Sequence, residues 1–163
     1  MAILRPLMVA WLLVAPHALV ARADTPADLL ARYDAAARVE DPSFGGFSAE
    51  RGRAFYFARH PLAGPGDASC SSCHLEDPRQ GFRAHRAPVL CRACHVINDD
   101  EHPDPEHAKK RHMGAFAPGA NPDRFNDWQR VERYFAVNCR LLLRRACTPR
   151  EKGDLITWLL SLE

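Results

Sequence analysis

No apolar run in this 163-residue chain reaches the ~20 residues that a bilayer-spanning helix needs. The most apolar stretch, Leu7 to Ala15, is interrupted by Pro16, His17 and Arg22. With Arg5 ahead of it and Ala21-Arg22-Ala23 behind it, it has the form of an export signal cut before Asp24, the alternative being a retained anchor. An excess of one charge is also missing. Without Arg5 and Arg22 the 22 basic residues fall to 20 and match the 20 acidic ones. No nucleic-acid partner is therefore expected, and Lys109-Lys110-Arg111 and Arg144-Arg145 read as solvated faces rather than docking charges. There is no G-x-S-x-G, no P-loop and no Gly-rich dinucleotide turn, which excludes the commonest hydrolase and nucleotide signatures. Asp99-Asp100-Glu101 lacks the alternating spacing of a calcium loop. Methionine is scarce: beyond the leader only Met113 remains.

Cysteine and histidine carry the information instead. Four of the six cysteines fall in Cys70-Ser71-Ser72-Cys73-His74 and Cys91-Arg92-Ala93-Cys94-His95, two copies of C-x-x-C-H. This is the attachment pattern of haem c: the two thiols add across the porphyrin vinyls, and the following imidazole becomes the proximal iron ligand. Two covalent haems are expected, on Cys70 and Cys73 with His74, and on Cys91 and Cys94 with His95. A zinc ribbon is the rival, since C-x2-C-x17-C-x2-C fits its spacing. Four thiolates would satisfy zinc without a histidine after each pair, and the export signal agrees with cytochrome c maturation, so haem is favoured. Cys139 and Cys147 remain, eight positions apart. In an oxidising compartment a disulfide is the natural reading, with two buried thiols as the alternative.

Capping signals place four helices. Thr25-Pro26-Ala27-Asp28 opens one that carries Leu29, Leu30, Tyr33 and Ala37. Ser48 caps a second, through about Arg59, with Phe55 and an interior Gly52 that lets another helix come close. Residues His60 to Ser69 form a loop, and Leu75 to Asn121 shows little periodicity. Asp127 caps a third helix, Trp128 to about Asn138, with Val131, Tyr134 and Phe135 as its stripe. Thr148-Pro149-Arg150-Glu151 is a capping box for a last helix with Leu155, Ile156, Trp158, Leu159 and Leu162. With no convincing strand, the fold class is all-α: a small helical cytochrome c-like domain over residues 24–163 after a 1–23 leader, with about 83–113 as a haem-organised insertion.

One methionine cannot furnish two His/Met haems. The other imidazoles of the mature chain are His60, His85, His102, His107 and His112. A distal ligand must reach the haem face opposite the proximal one. His102, seven residues after His95, is a tight fit, whereas His112, seventeen after, has ample reach at up to ~3.3 Å per residue. His112 is the favoured distal ligand of the second haem, ahead of His107, His85 and His102, with Met113 a weaker substitute.

The run Asn121-Pro122-Asp123-Arg124-Phe125-Asn126-Asp127, then Arg130-Val131-Glu132-Arg133-Tyr134, Asn138-Cys139, Cys147-Thr148-Pro149, Glu151-Lys152, Asp154-Leu155 and Trp158-Leu159 resembles the SHP-type (sphaeroides haem protein) cytochromes c. The resemblance extends to Glu50-Arg51-Gly52-Arg53-Ala54-Phe55 and the first C-x-x-C-H. It implies a small class I cytochrome c whose iron carries an asparagine as sixth ligand; Asn138, directly before a disulfide cysteine, is the matching residue. It also implies that the reduced haem binds diatomics such as oxygen or nitric oxide. The chain departs from the monohaem family in the segment from about Arg83 to Met113, which adds the second haem motif.

The expected function is that of an exported, periplasmic dihaem cytochrome. A bis-His haem passes electrons to a His/Asn haem that opens on reduction. It is an electron carrier first, with room for oxidoreductase activity at the opening haem. The alternatives are pure electron transfer through two low-spin haems and gas or redox sensing. Redox proteins such as another cytochrome c or a membrane cytochrome b are the expected partners, with no stable membrane insertion after leader cleavage.

Overall fold

The computed structural model describes residues 23–61, 66–83 and 112–162. Helix α1 spans Pro26–Glu40 and α2 spans Ala49–Phe57; strands β1 (His60–Pro61) and β2 (Asp67–Ala68) follow, then α3 (Cys70–His74). Strands β3 (Phe82–Arg83) and β4 (His112–Met113) precede a 3-10 turn, Pro122–Phe125, and the two long helices α4 (Trp128–Leu143) and α5 (Pro149–Leu160). The expected leader, residues 1–22, lies outside the described residues. No helix among those described is long and apolar enough to cross a membrane.

The capping signals act as expected. Thr25 and Asp28 close a capping box on α1, Thr148 and Glu151 close one on α5, Ser48 accepts from Arg51 N–H at the start of α2, and Asp127 accepts from Arg130 N–H at the start of α4. Asp24 adds a cap from afar: its carboxylate accepts from Trp128 N–H at 2.7 Å.

Helix α5 is the hub, packing on both α1 and α2. Gly52 sits where α2 crosses α5; a Cβ there would lie 2.0 Å from the Asp154 carbonyl oxygen and 2.9 Å from Trp158 Cβ. The crossing is pinned by Asp154, 4 % exposed, which accepts from Ser48 N–H at 2.7 Å and from Arg51 Nε and Nη2 at 2.7 and 2.8 Å. Around it Leu29, Tyr33, Tyr56, Phe125, Val131, Phe135, Leu155, Ile156, Trp158 and Leu159 form one apolar core. A polar chain also ties α1, α4 and α5 together. Tyr33 Oη donates to Glu132 Oε1 at 2.5 Å, and Lys152 Nζ donates to both Glu132 oxygens at 2.9 and 2.8 Å. Trp128 packs on Tyr33 with centroids 5.0 Å apart, beneath the Arg32 guanidinium.

Three local features differ from the sequence expectations. Helix α2 stops at Phe57, because Ala58 turns to φ −60°, ψ 127°. Helix α4 runs past Asn138 to Leu143, since no glycine or proline intervenes, and ends on Arg144 in the left-handed region at φ 58°, ψ 17°. Two antiparallel ladders also occur where no strand was expected. His60 pairs with Ala68 and Pro61 with Asp67; Phe82 pairs with Met113 and Arg83 with His112. Each strand is two residues long, too short for any alternation to register in a sequence.

Candidate functional site

The first C-x-x-C-H is itself a helix. Ser69 accepts from Ser72 N–H while Ser72 Oγ accepts from Ser69 N–H, so a capping box starts α3 one residue before Cys70. One turn of helix separates Cys70 from Cys73, which puts both thiols along one edge, and His74 closes the helix. Leu75 then turns into positive φ, 67°, a conformation costly for a leucine. Tyr56 holds that turn: its hydroxyl, deep in the core, reaches the His74 and Leu75 carbonyls at 2.9 and 2.7 Å.

The His74 imidazole lies flat against Phe116, centroids 4.1 Å apart at 16°. Burial, and next the charge of Arg124, push its pKa down to about 4, so the ring is neutral at pH 7, the form that binds a metal. Burial also pushes the Cys70 thiol up to about 11, keeping it protonated. Two thiols on one turn beside a neutral imidazole match the donor set that covalent haem requires.

Phe116 is brought to His74 from far along the chain. Its N–H and that of Ala117 both donate to the carbonyl of buried Pro78, at 2.7 and 2.8 Å. Arg124 clasps the same segment from the other side, with Nη2 donating to the Gly114 and Ala115 carbonyls at 2.8 Å each and Nε to Ala115 at 3.2 Å. Its guanidinium carbon stands 5.5 Å from the Phe116 ring centroid. Nothing in the sequence pattern marks Tyr56 or Phe116 as a site residue. Arg124 alone falls inside a family-like run, Asn121 to Asp127.

Asn138 is half-buried on α4, directly before buried Cys139. Cys139 is disulfide-bonded to Cys147 with Cα atoms 5.5 Å apart. Cys147 immediately precedes Thr148, the cap of α5, so the bond ties the last turns of α4 to the start of α5. Glu151 reinforces the junction by accepting from Thr148 N–H at 2.8 Å and from Arg145 Nη1 and Nη2 at 2.8 and 2.6 Å. His60 lines a hollow of about 210 Å³ shared with Leu142 and Arg145 at the end of α4. Cys139→Ser is expected to cost about 2.5 kcal/mol, the chain-entropy value for so short a loop. Thermal unfolding without reductant measures it, and an unchanged midpoint would show that the bond braces nothing.

Cys91, Cys94, His95, His85, His102 and His107 lie outside the described residues. His112 is described through its backbone alone, paired with Arg83 in the β3–β4 ladder.

Comparisons with known proteins agree with this geometry. The family model described as Domain of unknown function (DUF1924) matches residues 42–88 and 80–159. Cytochrome c-type protein SHP of Cereibacter sphaeroides is 35% identical over 135 residues, covering 83% of this chain and 82% of the relative. Cytochrome c'' of Methylophilus methylotrophus is 26% identical over 133 residues, covering 82% and 77%. Among solved structures, oxidised SHP, described as an oxygen binding cytochrome c, superposes with a TM-score of 0.61 at 32% identity over 85% of this chain and 98% of that one. Oxidised cytochrome c'' superposes with a TM-score of 0.62 at 23% identity over 83% and 93%, a likeness of fold. Fold, site and relatives together define a helical haem cytochrome c. Within that class the chain belongs to the DUF1924 family and to the SHP-type cytochromes c.

Proposed function

We propose that this protein is an exported dihaem cytochrome c in which a haem on Cys91 and Cys94 delivers electrons to a haem on Cys70 and Cys73. Haem held there would supply a one-electron iron couple able to bind a small diatomic, oxygen or nitric oxide. The chain's part is to hold one side of that iron firmly and the other weakly. His74 is the firm side, a neutral imidazole fixed by Phe116 and by the Tyr56-anchored turn behind it. Asn138 is the weak side. A carboxamide oxygen is a hard, neutral donor that suits ferric iron better than ferrous, so it would be held less firmly after reduction. Helix α4 carries it, braced by the disulfide and by the Tyr33–Glu132–Lys152 chain, so a released side chain has a fixed position to return to.

The observation that carries this reading is the Asn138-Cys139 pair on a braced helix, in a chain 35% identical to SHP. The β3–β4 ladder supports the dihaem part. The chain departs after Arg83 and returns at His112 on the paired strand, so the base of the extra segment is closed and the helical domain needs no rearrangement to carry it. His95 and one of His112, His107, His85 or His102 serve the second iron. The leader is cut before Asp24, and Asp24 caps α4, so the mature chain begins on a residue that the fold uses. A redox protein of the same compartment is the partner.

Haem content tests the reading. Pyridine haemochromogen assay with intact-protein mass spectrometry is expected to give two covalent haems per chain beginning at Asp24. One haem per chain would remove the wire, and none would remove the reading altogether.

A further inference from the structure

Two non-glycine residues among those described have positive φ, and they differ in kind. Arg144 takes the ordinary left-handed form that ends a helix, whereas Leu75, at φ 67° and ψ 164°, occupies a region that essentially only glycine uses. Such a backbone persists only where its surroundings hold it. Here the hold is one hydroxyl: Tyr56 Oη shares its proton between the His74 and Leu75 carbonyls, so the peptide groups on both sides of Leu75 are tied to it. The hydroxyl cannot give way. Tyr56 is 0 % exposed, its ring packed against Trp158 of α5 at 4.8 Å and edge-on to Phe57 at 5.1 Å. Phe116 stacks on Tyr56, centroids 6.0 Å apart at 27°, as well as on His74. One tyrosine therefore grips His74 twice, through its backbone and through a shared ring.

We infer that Tyr56 is a positioning residue that pins His74 and thereby lowers the affinity of the reduced site for its diatomic. This rests on the haem reading above and adds a residue to it. As proximal ligand, His74 has to follow the iron toward the porphyrin plane when a sixth ligand binds the ferrous form. A histidine on a free chain follows easily. His74 is followed at once by a backbone that one hydrogen-bonding group holds in a conformation costly for leucine, so its movement must strain or break the Tyr56 contacts. Binding of the diatomic is weakened by that amount. The hold also reaches the distal side, because Trp158, against which Tyr56 packs, belongs to the helix whose start is tied by the Cys139–Cys147 bond to α4.

Resonance Raman and carbon monoxide titration of the reduced, full-length holoprotein test this, since the iron–histidine stretch reports a five-coordinate ferrous haem. In Tyr56→Phe, which keeps the ring and removes the hydroxyl, the turn is free to relax. The stretch should move to higher frequency and carbon monoxide affinity should rise about tenfold, the scale on which groups behind a metal ligand act. Wild-type holoprotein offers a check independent of any variant: its stretch should lie below that of a haem c peptide of the Cys70–His74 run, in which nothing pins the histidine. A wild-type frequency at or above the peptide's would overturn the inference. So would a phenylalanine variant with full haem, a lowered Tm and wild-type stretch and affinity, because Tyr56 would then serve the core alone. Haem content and ligand binding separate the two readings: a wild type without covalent haem, or one that ignores carbon monoxide, ends both, whereas a ligand-binding haem unmoved by the variant ends only the role of Tyr56.

Discussion

On the proposed reading, replacing Asn138 with alanine is expected to strip the haem at Cys70 and Cys73 of its sixth ligand in the ferric state while leaving attachment and fold intact. The ferric spectrum of that haem should become five-coordinate or water-ligated, and the change of ligation that accompanies reduction should vanish. Asn138→His should do the opposite. An imidazole is a stronger, softer donor than an amide oxygen and holds ferrous iron as well, so the site should stay shut. Carbon monoxide affinity of the reduced protein should then fall at least about tenfold, equivalent to about 1.4 kcal/mol of competition from the new ligand. Resonance Raman and magnetic circular dichroism of both oxidation states, with carbon monoxide titration, measure this. Unchanged ferric spectra in Asn138→Ala would take Asn138 off the iron. The disulfide makes the experiment clean, because Cys139 and Cys147 hold the last turns of α4 whatever residue stands at 138.

The second large effect belongs to Gly52. Alanine in place of an interior helical glycine ordinarily stabilises by about 1 kcal/mol. Here the new Cβ would lie 2.0 Å from the carbonyl oxygen and 2.5 Å from the carbonyl carbon of Asp154, both backbone atoms that cannot rotate aside. The helices would have to part, and Asp154 would lose its registry with Ser48 and Arg51. Overpacking of this kind costs roughly 1–3 kcal/mol or more, and with the polar contacts the net loss should be about 2–3 kcal/mol. That corresponds to a fall in Tm of about 10 °C for a domain of this size. Because α5 also receives the disulfide, the variant should loosen Asn138 and weaken the ferric six-coordinate signal. A Tm at or above the wild-type value would show that α2 and α5 do not meet at Gly52.

Local chemistry made the frame legible. Side-chain caps three residues long mark the starts of α1, α2, α4 and α5, and the Gly52 contact follows from a glycine in the middle of a helix. The Cys139–Cys147 bond follows from an even pair left over once the haem motifs are removed. What escaped depends on partners distant in the chain. The α4 cap by Asp24 bridges 104 positions, and the Phe116–His74 stack bridges more than forty. No periodicity announces such contacts, since Phe116 sits in the Leu75-to-Asn121 stretch of little periodicity and Arg124 in a single 3-10 turn, Pro122–Phe125. The end of α4 escaped for another reason: Asn138 has the preference of a helix-ending residue, yet Cys139 and Leu142 continue the buried stripe of Val131 and Phe135 and the disulfide rewards the extra turn.

Magnetic circular dichroism of the wild-type holoprotein, oxidised and then reduced, tests the proposed unequal pair of irons most directly. One haem should remain low-spin and six-coordinate in both states, while the other should pass from six-coordinate ferric to five-coordinate, carbon monoxide-binding ferrous. Two haems that stay six-coordinate and ignore carbon monoxide would contradict the account.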